Sequence, residues 1–199
     1  IREELGPAVV VKPGAGGSAI GVEPICAEDT DEALAAALTR ALGLDSLVLV
    51  EQMKSGKEVT CAVLEDEHGK ARALSPTLIL PQAAGWYDFR SKYAPSGSVH
   101  QCPPPFVAAL IARIQAAAVQ AHTVLGCRDL SRVDFVVEDA SGEITLLEVN
   151  TLPGMTATSL FPEAAAVSGI PFPALCDLLV RRAHGRPAFA APAAPPMPT

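Results

Sequence analysis

The sequence predicts an α+β fold built on antiparallel strand pairs. Two observations carry that reading. Strand-like runs are joined to each other by short turn signals, at 66-DEHG-69 and at Ala140-Ser141-Gly142, and such adjacency is the mark of hairpins. Helix-spaced stretches fall between these runs irregularly, whereas a doubly wound parallel sheet needs strand and helix in strict alternation.

The elements follow in order. Residues 8-AVVVK-12 read as a buried strand, then a glycine-rich turn, 13-PGAGGSAIG-21, leads to a second strand ending near Ile25. The stretch 29-DTDEALAAALTRAL-42 has apolar residues at helical spacing, with Asp29 or Thr30 as its cap. Strands are expected over 46–53 and 57–66, the latter turning into a partner over roughly 70–80. A polar, aromatic loop covers 81–103. Pro103, Pro104 and Pro105 are expected to open a helix over about 105–125, since proline suits a first helical turn. Two strands, about 131–138 and 143–150, precede a loop and two short helices. The Ala/Pro-rich segment 187–199 reads as a disordered tail.

A net charge of −7 and a pI near 5.1 argue against non-specific binding to nucleic acid or acidic membranes. The apolar runs are of strand length, so no membrane span is expected. Five dispersed cysteines without a C-x-x-C pair suggest neither a disulfide framework nor a zinc site. A reducing, cytoplasmic setting follows.

The hairpin 132-RVDFVVEDASGEITLLEVN-150 carries the chemistry. A three-residue turn centred on Ser141 pairs Asp134 with Glu148 and Arg132 with Asn150. Alternation then gathers all four on one face, leaving Val133, Phe135, Val137, Leu147 and Val149 for the core. Opposed carboxylates repel across a strand pair. Either a cation such as magnesium reverses the sign, or Arg132 neutralises Asp134 in a salt-bridged surface, and the hairpin alone fits both. The segment 12-KPGAGGSAIG-21 offers a lysine and backbone N–H groups suited to phosphate. It fits neither a Walker A nor a Rossmann pattern, and alone reads first as a plain glycine turn.

Taken together, KPxxxGSxxG, E-x-x-x-x-G-x-E from Glu51 to Glu58, WYDFRSKY, RVDF and EVNTLPGMTxTSLFP resemble the D-alanine–D-alanine ligases of the ATP-grasp family over residues 5–185. The resemblance implies two α+β subdomains gripping ATP between antiparallel sheets: part of the central subdomain at 1–52, and the C-terminal subdomain at 53–186. It implies an ATP-dependent ligase that joins two D-alanines through an acylphosphate for peptidoglycan synthesis.

By the same resemblance Lys12 and Lys92 contact ATP phosphates. Ser18 lies in a loop closing over them, and Glu51 lies in the adenine-binding linker. Glu58 holds the ribose, and Tyr93 belongs to the lid. Asp134, Glu148 and Asn150 ligate two magnesium (or manganese) ions. Arg132 and the Gly154 N–H stabilise the oxyanion, and Ser159 holds the acceptor's carboxylate. Ala19 stands where relatives often carry a second serine. His100 stands where many carry an aromatic, which leaves D-lactate as a rival acceptor. A preceding domain, which supplies a further acid and lysine, is implied but not located in these residues, and the resemblance also implies a homodimer in the full-length protein. A non-catalytic nucleotide-binding fragment is therefore the alternative.

Overall fold

The computed structural model describes residues 1–17, 19–81 and 98–186. Among these, a short helix α1 (Arg2–Leu5) leads to β1 (Val9–Pro13), β2 (Glu23–Ile25), α2 (Asp31–Leu42) and β3 (Val48–Gln52). Then come β4 (Lys57–Glu65), β5 (Ala71–Ala73), β6 (Thr77–Pro81), β7 (Ser98–Gln101) and α3 (Ala108–Val124). The hairpin β8 (Leu130–Val137) and β9 (Ile144–Asn150) precedes α4 (Leu160–Val167) and α5 (Phe172–His184). No described helix is long and apolar enough to cross a membrane.

Two antiparallel sheets result. The smaller has the order β2-β1-β3. Its β-branched β1 buries Val9 and Val11 against Leu34, Ala37 and Ala41 of α2. The α2 start is fixed by Thr30, whose hydroxyl accepts from the Ala33 N–H at 3.3 Å, with Asp31 and Glu32 in the first turn where the helix dipole favours them.

The larger sheet runs β7-β6-β4-β8-β9, with β5 on the far half of β4. One face packs Val59, Cys61, Val63, Val133 and Phe135 against Ile114 and Ala118, one turn apart on α3. Among the described residues the opposite face is covered at one end, where Ala62 and Leu64 meet Phe161, Ala164 and Leu175 of α4 and α5. Toward the other end of that face, β4 turns Thr60 and Glu58 to the same side as Asp134, opposite Thr60 in the ladder. The helices thus stop short of the functional end of the sheet.

A four-residue connection, Met53–Gly56, joins the two sheets. Gly56 (φ 150°) lies so close against the Val137 carbonyl that no side chain fits there.

Several expectations need correction. The partner of β4 is not one strand over 70–80: it breaks at Ser75-Pro76 into β5 and β6. The helix expected from 105 begins at Ala108, with Val107 at its cap, so all three prolines precede it. Part of the 81–103 loop is strand β7, paired with β6. The hairpin turn holds four residues, Asp139–Gly142, because Glu138 and Glu143 still pair (N–H to O, 2.9 Å). A bulge after Asp134 then restores the register: Asp134 meets Glu148 but Phe135 meets Leu146. Leu147 is the extra residue, and it is exposed instead of joining the core.

Candidate active site

Register builds the centre of the site. Arg132 pairs with Asn150 and Asp134 with Glu148. The Arg132 guanidinium grips Asp134 bidentately, Nε to Oδ1 at 2.9 Å and Nη2 to Oδ2 at 2.8 Å. Such a fork is stronger than a single ionic contact. Asn150 Nδ2 donates to Asp134 Oδ2 at 3.1 Å and to Glu148 Oε1 at 3.4 Å, so one amide links the two carboxylates. Asp134 is also held from β4, where the Thr60 hydroxyl donates to Oδ1 at 2.6 Å.

This donor set fits a hard divalent cation. Two carboxylates and the Asn150 side chain share one face, and magnesium accepts one or two carboxylates with phosphate oxygens completing its shell. Among the described residues no cluster of three His, Cys, Asp or Glu side chains forms a closed metal cage. The Arg132–Asp134 salt bridge weighed from sequence is formed, at 2.8 Å.

The second wall comes from the small sheet. Lys12 Nζ lies 2.7 Å from Glu51 Oε2, a diagonal pair across β1 and β3. Both line a cleft of about 270 Å³ together with Pro13, Gly14, Gly16, Gly17, Ala19, Ile20, Val22 and Leu49. Leu147 and Glu148 close it from the hairpin side, so Glu148 connects the cleft to the carboxylate cluster. The bulge is what turns Leu147 into this wall. Glu51 was expected in the linker; it lies on β3 itself.

The glycine loop is pinned at its start. Asp45 accepts from the Ala15 N–H at 2.5 Å and from the Leu47 N–H at 3.2 Å, which hold its carboxyl below the usual range. Gly14 N–H bonds the Leu47 carbonyl at 2.7 Å. Sequence reading missed Asp45, whose only signal is its place between a helix end and a strand.

Beyond β9, Gly154 and Ser159 come together. A methyl group on Gly154 would lie 2.7 Å from Ser159 Oγ. Ser159 occupies the cap position of α4 without a side-chain capping bond. Its oxygen instead accepts from the Thr156 N–H at 3.0 Å and bonds the Thr156 hydroxyl at 2.8 Å. Glu58 shares the sheet face of Thr60 and Asp134, but Glu58, Gly154 and Ser159 are not among the residues lining the cleft. His100 on β7 bonds Glu163 of α4 at 2.8 Å and Ser98 at 3.1 Å. Ser18, Lys92, Tyr93 and the 187–199 tail lie outside the described residues.

Comparison with known proteins agrees with this geometry. The family described as "D-ala D-ala ligase C-terminus" matches residues 1–181. A D-alanine–D-alanine ligase of Desulforamulus reducens is 42% identical over 181 residues, 91% of this chain and 55% of that protein. The chain thus spans little more than half the length of that relative. The D-alanine–D-alanine ligase of Bacillus anthracis complexed with ATP superposes with a TM-score of 0.71 at 32% identity, covering 92% of this chain and 56% of that one. The VanG D-Ala:D-Ser ligase of Enterococcus faecalis gives a TM-score of 0.72 at 33% identity, covering 87% and 48%. The fold is therefore the ATP-grasp arrangement of these ligases, and the chain belongs to the D-alanine–D-alanine ligase C-terminal family.

Proposed function

We propose that this chain is the nucleotide- and acceptor-holding part of an ATP-dependent D-alanine–D-alanine ligase serving peptidoglycan synthesis. The observation that supports it most is one arrangement. The Arg132–Asp134–Glu148–Asn150 cluster meets, through Glu148, a cleft walled by Lys12 and a glycine-rich loop. In the reaction, a D-alanine carboxylate attacks the γ-phosphate of ATP to give an acylphosphate and ADP. The amine of a second D-alanine then attacks the acyl carbon, and phosphate leaves.

The division of labour follows from charge. Phosphoryl transfer depends on neutralised phosphate charge more than on covalent help from the protein. Asp134, Glu148 and Asn150 would hold two magnesium ions, which supply that neutralisation when bound. Lys12 adds a cation at the cleft, and Lys92 is assigned the same task from the lid. Ser18 and Tyr93 are assigned to closing the site. Glu51 and Glu58 are assigned to the nucleoside end. Arg132 and the Gly154 N–H are assigned to the oxyanion of the acyl-transfer step, where aimed donors stabilise developing charge. Ser159, beside Gly154, is assigned to the carboxylate of the acceptor. The reading also places residues 1–52 and 53–186 in two subdomains of a cytoplasmic homodimer.

The test is phosphate release by the full-length protein with ATP, magnesium and D-alanine, with D-lactate and D-serine as rival acceptors. D-alanine-dependent release supports the reading, and Arg132→Ala should lower it by roughly 100-fold. A preference for D-lactate or D-serine would change the acceptor and direct attention to His100. Nucleotide binding without turnover on any acceptor would leave a non-catalytic module.

A further inference from the structure

We propose that Thr60 is a positioning residue, whose buried hydroxyl sets the Asp134 carboxylate for a divalent cation. The inference rests on the ligase reading of the site and concerns a residue to which the sequence motifs assign nothing. Among the described residues Arg132, Asn150 and Thr60 hold Asp134. Arg132 and Asn150 belong to the hairpin and are part of the proposed machinery. Thr60 reaches in from the neighbouring strand, opposite Asp134 in the ladder, and is 3% exposed.

The chemistry gives the two kinds of partner different fates. A cation at Asp134 competes with the Arg132 guanidinium for the carboxylate, because both seek the same negative charge. A neutral hydroxyl does not compete. It occupies one lone pair of Oδ1, and a cation that displaces Arg132 takes the positions the guanidinium gives up. At 2.6 Å this bond is in the short range expected of a hydroxyl on a carboxylate. The other acceptor within reach of Thr60, the Val133 carbonyl, lies farther away at 3.3 Å and is the weaker competitor for its proton.

A second hydroxyl neighbours Thr60. Thr77 lies directly opposite it on β6, fully buried, and its Oγ1 has no hydrogen-bond partner among the described residues. Buried hydroxyls are normally paired, and Thr77 departs from that rule next to Thr60. A valine at position 60 would have the same shape and suit a strand, yet it would leave Oδ1 without its buried donor.

The experiment uses the full-length protein with Mn²⁺ as probe, its free concentration followed by electron paramagnetic resonance in the presence of ADP. Thr60→Val is expected to weaken Mn²⁺ binding about tenfold, the lower end for partners that orient a metal ligand, and to raise the half-saturating Mg²⁺ for phosphate release by a similar factor. Turnover at saturating Mg²⁺ should fall much less, and Thr60→Ser should restore both Mg²⁺ and Mn²⁺ responses. Unchanged Mn²⁺ affinity in Thr60→Val, or a Thr60→Ser protein as impaired as Thr60→Val, overturns the proposal. If Thr60→Val does not fold, Thr60→Ala carries the same comparison. A wild-type protein that takes up no Mn²⁺ with ADP fails at the underlying metal reading, and the role of Thr60 falls with it.

Discussion

Gly154→Ala tests the contact on which two of the assigned roles depend. Gly154 is not among the glycines with positive φ, so its backbone conformation suits alanine. The obstacle is steric. The new methyl would lie 2.7 Å from Ser159 Oγ but 3.5 Å from Ser159 Cβ, so the oxygen alone blocks it. Ser159 must rotate, giving up its bonds to the Thr156 N–H and hydroxyl. At about 1 kcal/mol net for each hydrogen bond, less where water replaces the partner, the substitution should cost roughly 1–2 kcal/mol. Removing the oxygen removes the obstacle. The double variant Gly154→Ala/Ser159→Ala should therefore be more stable than the sum of the single losses predicts, by about 1 kcal/mol. Urea unfolding followed by circular dichroism reads this directly, with an unchanged m-value as the check on comparability. Strict additivity would refute the steric argument. In the activity assay Gly154→Ala should raise the KM for the acceptor far more than that for ATP, because it displaces Ser159 and leaves the cleft walls untouched.

Three further outcomes follow from other parts of the molecule. Arg182 joins Glu65 and Asp129 in a nearly buried network that continues to His122 and Ser131. Arg182→Met should destabilise by about 3 kcal/mol, the lower end for breaking a buried pair, since Arg186 still reaches Asp129. Its neighbour Arg181, exposed and paired with Asp177, should cost less than about 1 kcal/mol when changed to Ala, and thermal melting of both variants decides this. Arg40 holds the Glu23 carboxyl below its usual range through a bidentate bond. A depressed carboxylate contributes stability above its unfolded pKa of about 4.3 and loses it as pH falls through the lower folded value. Arg40→Met should therefore flatten the stability profile in that acid window, in denaturation curves taken at successive pH values. Burial pushes the Cys61 thiol up to about 12, so at pH 8 a thiol reagent should modify it only after unfolding, unlike the partly exposed Cys127 and Cys176.

The functional end of the hairpin was legible because strand pairing has a period of two and the polar residues occupy one parity. The count succeeded there through two compensating differences, a turn longer by one residue and a bulge at Leu147. A bulge leaves little trace in a sequence, so the side on which Leu147 falls could not be read. Glu138 and Glu143 fell at the ends of the two expected strands, and they are the last pair before the turn. Strand β7 was hidden because Ser98–Gln101 is short and Val99 is its one apolar residue, and its pairing with β6 is a tertiary fact. Thr60 escaped notice for a related reason. A threonine in a β-branched run is ordinary until the neighbouring strand sets Asp134 opposite it. The Ser131–His122–Glu65 chain joins residues far apart in sequence, and no local pattern foretells it. The resemblance to the ligases named residues that geometry alone would not have singled out, Ser159 and Gly154 above all. The contact between those two is new information from the structure.

The anchoring of Gly56 against Val137 has a consequence for reach. Strand β8 carries Asp134 three residues before Val137, so the connection between the sheets is moored to the strand that forms the floor of the site. From Gln52 at the end of β3 to Lys57 at the start of β4, the chain can extend at most about 18 Å. Met53 is tied to the small sheet, its N–H on the Ala8 carbonyl at 3.0 Å, so Lys54 and Ser55 carry the backbone from there to the mooring. The span is a leash of fixed length: it bounds how far the end of β3 can stand from the floor, whatever angle the small sheet takes. Lengthening that leash would leave every residue of both walls unchanged and still alter the size of the molecule they can hold between them.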